Sequence, residues 1–204
     1  MENGLEKDFG YDIDLDDLEK EILKDAPYYD NGKGGVTFSG GEPLLQIKKL
    51  EPLLKRLKNN KVNICFETSL SANEEFLSIA LDYADFVYVD IKLLSNPSII
   101  NLNVDSYYKN LELLAKSNVS DVVFRIPLNY EYTLKDENID MVLDLIKKYP
   151  NFDVEIFKTH NLAESKYDKL NKEFIPFEEV SDEEMDRIYK KIREFNENVN
   201  IISL

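Results

Sequence analysis

At 204 residues the chain is long enough for one domain with a substantial core and too short for two comfortable ones, so residues 1–204 read as a single domain. Its Lys and Arg number 25 against 40 Asp and Glu, and the resulting charge of −15 excludes nucleic acid as the main partner, because phosphate neutralisation needs clustered basic groups. No apolar run approaches the roughly 18 residues that span a bilayer, and MENGLEKDFG has neither a basic nor an apolar leader region, so no membrane association and a cytoplasmic location are expected. The single cysteine, Cys65, cannot form an internal disulfide, which fits a reducing compartment.

In chain order, Leu15, Leu18 and Ile22 recur at helical spacing and predict a first amphipathic helix. A β-like run follows at residues 35–39 (GVTFS), then a stripe of Ile47, Leu50, Leu54 and Leu57. The alternation continues with a strand at 62–68 (VNICFET) before Phe76, Leu77, Ala80 and Leu81, and a strand at 86–91 (FVYVDI) before Tyr107, Leu111 and Leu114. Next come a strand at 122–128 (VVFRIPL), a stripe of Ile139, Leu143 and Ile146, and a strand at 154–158 (VEIFK). Residues 161–180 hold Pro176 and read as a loop with a short helical turn; a last stripe, Met185, Ile188, Ile192 and Phe195, precedes a β-like run at 199–202. Capping boxes are expected at Ser181 with Glu184 and at Ser71 with Glu74. The strand runs are short and mostly unalternating, as in strands covered on both faces. Strands alternating with helices predict an α/β fold with a mainly parallel sheet.

Ligands of such sheets bind at the carboxyl ends of the strands. Polar groups gather there: Ser39, Gly40, Gly41 and Glu42 after the first run, Glu67 and Thr68 ending the second, Asp90 and Lys92 ending the third, Arg125 in the fourth, and His160 after the fifth. Glycines at a strand end let the backbone come close to a ligand, and a neighbouring carboxylate suits an ammonium group. No Gly-Lys-Ser/Thr follows, so this is not a Walker phosphate loop. Each feature also has a plainer reading. SGGEP reads equally as an ordinary strand-to-helix turn, Asp90 with Lys92 as a strand-end ion pair, Arg125 as a partner of Glu155, His160 as a surface or capping histidine, and Cys65 as a small buried apolar residue.

The string GGVTFSGGEPLLQ resembles the corresponding stretch of the radical S-adenosylmethionine enzymes that activate glycyl radical enzymes, the pyruvate formate-lyase-activating enzyme family. ETS, VDIK, RIPL and THNLAESKY follow in the order of that family's motifs. The resemblance implies a partial (βα) barrel and assigns S-adenosylmethionine as cofactor. It places Gly40, Gly41 and Glu42, after Ser39, at the methionyl amino group, Glu67 and Thr68 near the methionyl carboxylate and a monovalent cation, and Asp90 and Lys92 along the same wall, Lys92 facing the carboxylate. It puts His160 at the nucleoside and turns Arg125 toward the ligand or an incoming peptide. The implied partner is a glycyl radical enzyme, from whose backbone glycine the family takes a hydrogen atom.

One departure limits this expectation. The family holds a [4Fe–4S] cluster on a Cys-x3-Cys-x2-Cys loop after the first barrel strand, and a single cysteine cannot replace three thiolates. No catalytic and no metal-ligating residue is therefore expected here, and the sheet is expected to lack its first strand and to expose an edge at residues 35–39. The match starts downstream of that loop, and an excised domain or a shortened gene is the expectation. Leu70 stands where the family usually has glycine after Thr-Ser, Ala163 where it has the glycine of His-Asn-Leu-Gly, and Asn129-Tyr130 where Pro-Gly is common. Three functions follow: the cofactor-binding part of an activase, inactive alone; a cluster-free module that docks a glycyl radical enzyme or its activase; and a lyase using Lys92 or His160 as base.

Overall fold

The structure, a computed structural model, describes residues 11–29, 34–159, 161, 167 and 173–203. Six parallel strands, β1 (Gly35–Phe38), β2 (Asn63–Thr68), β3 (Phe86–Asp90), β4 (Asp121–Leu128), β5 (Asp153–Lys158) and β6 (Val199–Ile201), lie side by side in chain order. The helices are α1 (Leu15–Lys24), α2 (Ile47–Asn59), α3 (Glu74–Leu81), α4 (Val104–Ala115), α5 (Asp136–Lys148) and α6 (Asp182–Arg193). The expected strands and stripes all recur, with ends moved by at most a residue or so apart from Phe195. That ring lies beyond the end of α6 and is 42% exposed, against the fused stripe the spacing predicts.

Right-handed crossovers between neighbouring parallel strands carry α2 to α6 to the same side of the sheet. The burial pattern follows: in β2, Ile64, Phe66 and Thr68 are buried, while Asn63, Cys65 and Glu67 are only half-buried. β3 alternates in the same way. The sequence predicts strands covered on both faces, and the structure corrects this to one covered face and one concave, half-open face. Periodicity conceals the difference because the concave face carries Phe86, Tyr88, Val123 and Phe157 among its polar residues. The core sits between sheet and helices, where Leu53, Leu54, Leu57, Ile64, Phe66 and Phe124 are almost wholly buried.

β1 pairs with β2 alone, and among the described residues no strand lies along its other edge. It begins with a glycine because the backbones are close: a Cβ on Gly35 would fall 2.1 Å from the Asn63 carbonyl oxygen. The Asn63 amide donates to the Gly34 carbonyl at 3.2 Å and anchors the same end.

Caps fix where the helices start. Ser181 accepts from the Glu184 N–H at 3.2 Å, as its box predicts, although the Glu184 carboxylate turns to Arg187. At α3 the expected Ser71 cap gives way to Asn73, whose side chain accepts from the Phe76 N–H at 2.9 Å. Two residues nearer the helix, Asn73 reaches the first free amides; Ser71 bonds Ser69 at 2.9 Å.

Asn138 in α5, wholly buried, accepts from the Leu94 and Ser95 N–H groups at 2.7 and 3.2 Å and donates to the Lys92 and Thr133 carbonyls at 3.2 and 3.0 Å. It thereby ties the loop after β3 to the loop after β4. Asn138→Ala leaves four backbone groups without this partner and should destabilise the protein by about 3 kcal/mol, read as a lower midpoint in urea unfolding.

Candidate functional site

The turn after β1 reverses direction at Gly40, whose φ of +118° is a conformation that L side chains rarely adopt. A Cβ built on Gly40 or Gly41 meets nothing within 4 Å, so this backbone faces open space. Glu42 then caps the short 3-10 turn Pro43–Gln46. Its Oε1 accepts from the Leu44 N–H at 3.3 Å and the Thr68 hydroxyl at 2.7 Å, and its Oε2 from the Ser69 N–H at 3.0 Å and the Ser69 hydroxyl at 2.7 Å. Four neutral donors thus fix the carboxylate between the ends of β1 and β2. Among the described residues it has no ion-pair partner.

Beyond Thr68 the chain turns through Leu70, whose φ of +56° explains why glycine would suit this position. Here the turn is stabilised by burying the leucine side chain completely, by the Leu70 N–H donating to Thr68 Oγ1 at 3.0 Å, and by Asn110 of α4. The Asn110 amide donates to the Leu70 and Ala72 carbonyls at 2.9 and 2.7 Å.

A second cluster crosses the concave face. Glu67 accepts from the Ser39 hydroxyl at 2.7 Å and from the Arg125 guanidinium at 2.5 Å, and Arg125 Nε lies 3.3 Å from Glu155 Oε2. That last contact is an ion pair without hydrogen-bond alignment. Tyr88 and Phe157 hold the guanidinium between their rings, at 4.9 and 5.1 Å. Arg125 therefore makes the Glu155 pair that the sequence leaves open, and a shorter one to Glu67. Burial raises the pKa of Glu155; Arg125 opposes the shift, and the Asp153 and Glu67 carboxylates add to it.

Asp90 and Lys92 pair at 3.2 Å at the end of β3. They border a cavity of about 160 Å³ that Ser69 and Ser71 also line, next to the Glu42 corner. The structure thus brings Ser39, Gly40, Gly41, Glu42, Glu67, Thr68 and Arg125 together and sets Asp90 and Lys92 beside them; His160 lies outside the described residues, as does Ala163. Sequence reasoning misses Ser71, Asn110 and Asn138 as parts of this end of the sheet. Asn129-Tyr130 also acquires a role: Asn129 accepts from the Tyr132 N–H at 2.9 Å, and Tyr130 Oη from the Ser181 N–H at 3.2 Å.

The radical SAM superfamily profile matches residues 6–146. The chain belongs to the radical SAM superfamily. It is 33% identical over 159 residues to the indoleacetate decarboxylase activating enzyme of Tractidigestivibacter scatoligenes, a match covering 76% of this chain and 50% of the relative. It is 32% identical over 173 residues to the pyruvate formate-lyase 2-activating enzyme of Escherichia coli K12, covering 83% and 59%. The chain spans about half the length of these curated relatives. Among solved structures, a domain of pyruvate-formate lyase-activating enzyme from Bacteroides vulgatus superposes with a TM-score of 0.67 at 20% identity, over 83% of this chain and 99% of that one. The six-stranded parallel sheet is thus consistent with a partial radical SAM barrel, and no described helix is long and apolar enough to cross a membrane.

For a radical SAM protein the donor set decides which groups these residues can hold. An iron–sulfur cluster does not fit them. The only thiol, Cys65, sits within β2 with its pKa pushed up to about 11 by burial, the opposite of a metal-binding thiolate. No cluster of three or more His, Cys, Asp or Glu suited to a metal occurs among the described residues. S-adenosylmethionine does fit: an oriented carboxylate and open glycine backbone for an ammonium group, with Lys92 nearby for a carboxylate.

Two measurements check these electrostatics. Iodoacetamide should label Cys65 about a hundredfold more slowly in the folded protein than in urea at pH 8.5, because little thiolate is present when folded. A carboxyl whose pKa is raised on folding holds its proton more tightly in the folded state, so its contribution to stability falls as pH rises through the interval above its ordinary value. Urea unfolding should accordingly show wild type gaining stability relative to Glu155→Gln as pH is lowered from 7 to about 5.

Proposed function

We propose that this chain is the S-adenosylmethionine-binding portion of an activating enzyme for a glycyl radical enzyme. The observation that carries the proposal is the Glu42 carboxylate, oriented by four neutral donors, without a protein cation among the described residues, and adjoining the open backbone of Gly40 and Gly41. A carboxylate compensated only by dipoles keeps its attraction for a ligand ammonium group. The activating-enzyme names of the relatives support the same reading.

Each residue then has a bounded role. Glu42 with the Ser39–Gly41 backbone receives the methionyl ammonium, and Lys92, kept in place by Asp90, faces the methionyl carboxylate. Thr68 orients Glu42, while Glu67 and Arg125 brace Ser39 and neutralise one another. His160, which the family resemblance assigns to the nucleoside, lies outside the described residues. S-adenosylmethionine would yield a hydrogen-abstracting radical only on receiving an electron from a cluster that these residues do not hold, so the chain alone is inactive and its own residues bind and orient the cofactor. The second reading, a cluster-free module that docks a glycyl radical enzyme or its activase, is favoured by the single cysteine.

Titration calorimetry separates the two. Wild type should bind S-adenosylmethionine, and Glu42→Gln should weaken it about tenfold or more, since the variant keeps the size of the side chain and loses its charge. A wild-type protein that gives no binding heat would overturn the first reading and leave the docking module.

A further inference from the structure

Three of the four donors on Glu42 belong to a turn that does not hold itself. The Thr68 hydroxyl and the Ser69 N–H and hydroxyl all lie just before Leu70, which sits at a φ of +56°. That left-handed conformation is disfavoured for an L-residue such as leucine. Its side chain is wholly buried, so a backbone relaxing out of this conformation would shift the half-buried Ser69 before it shifted the leucine.

Two side chains fix the peptide groups on either side of Leu70. Thr68 Oγ1 accepts from the Leu70 N–H at 3.0 Å, and the Asn110 amide donates to the Leu70 and Ala72 carbonyls at 2.9 and 2.7 Å. Thr68 belongs to the strand end itself, whereas Asn110 reaches in from α4, which is anchored in the core by Tyr107, Leu111 and Leu114. Asn110 is 0% exposed, and its Oδ1 has no hydrogen-bond partner among the described residues. A buried acceptor left unmet is costly, and an apolar residue of similar size would avoid that cost. What it would not supply is the pair of donors. The side-chain hydrogen bonds that Asn110 makes among the described residues thus run only to the turn that orients Glu42.

We infer that Asn110 is a positioning residue for the ligand corner: through the Leu70 peptide it keeps the Ser69 N–H and hydroxyl on Glu42 Oε2, and so sets the affinity of the site. The inference rests on the S-adenosylmethionine reading and goes beyond it, because it makes affinity depend on a wholly buried residue of α4, behind the strand ends.

A double-mutant cycle tests it, with titration calorimetry of S-adenosylmethionine against wild type, Asn110→Ala, Glu42→Gln and the double variant. Asn110→Ala should lose about fivefold in affinity with Glu42 present and less than about twofold in the Glu42→Gln background, because its effect passes through that carboxylate. Asn110→Leu refills the volume without the donors; it should behave alike and serves where the alanine variant fails to fold. Asn196→Ala supplies the comparison for stability alone. Asn196 is a buried clamp at the opposite end of the sheet, donating to the Phe152 carbonyl at 2.6 Å, and its loss should lower the thermal midpoint and leave affinity unchanged. Unchanged affinity in the Asn110 variants, equal losses in both Glu42 backgrounds, or an equal loss in Asn196→Ala overturns the inference and leaves the functional reading intact. Hydrogen exchange of the ligand-free protein reads the clamp directly: the Ser69 amide should exchange about tenfold faster in Asn110→Leu, with the β3 amides unchanged. Wild-type protection of Ser69 in that variant also overturns the inference. A wild type that gives no binding heat defeats the functional reading and takes the affinity claim with it, and the Ser69 exchange tells that failure from failure of the clamp.

Discussion

Backbone groups beyond the end of a parallel ladder have no strand to pair with, and in a closely packed fold they must be met by something else. Here asparagine side chains take over. Asn138 meets four such groups, Asn110 meets the carbonyls of Leu70 and Ala72, and Asn129 receives the amides of Tyr132 and Thr133. An amide carries donors and an acceptor on one short stem, so a single residue can close a turn from both sides. All three are buried, which makes the bonds costly to break and the loops they hold well defined. Lys92, Ser69 and Ser71 sit on those loops, and their placement follows from amides on the helices and loops behind them.

Charge at the site is settled pair by pair. Arg125 is shared by Glu67 and Glu155, and Lys92 answers Asp90. Glu42 is different in kind, held by amide and hydroxyl dipoles alone among the described residues. A chain with a net charge of −15 could attract cations almost anywhere on its surface. What distinguishes this carboxylate is its fixed orientation next to exposed glycine backbone.

The strands were legible because β-branched runs and helical stripes alternate with little ambiguity, and the strand-end polar residues followed from the topology. The one-sided burial of the sheet was not, since aromatic residues such as Tyr88 and Phe157 occupy the half-open face and erase the period-two signal. Nor were the asparagine clamps: Asn110 and Asn138 bond groups about forty residues away, and nothing local separates them from solvated amides. Arg125 could be paired with Glu155 on paper, yet the sequence held no register to decide it. Leu70 was visible only as a departure from a family pattern; the backbone dihedral gives that departure its physical content, a left-handed turn stabilised by side-chain burial and a clamp.

Because strand order follows chain order, every ladder joins a strand to the one formed immediately before it. Each βα unit therefore presents a template edge to the next, and the sheet can grow by successive additions without any early pairing between distant ends of the chain. Such growth resembles that of a repeat array, in which stability passes between nearest neighbours. The consequence is a gradient of local opening: β3 and β4, paired on both sides, should be the last to exchange their amide hydrogens, and the outer strands β1 and β6 the first. The Gly40–Glu42 corner hangs from one of those outer strands, so the region proposed to meet the ligand is also the region where binding can contribute most to order.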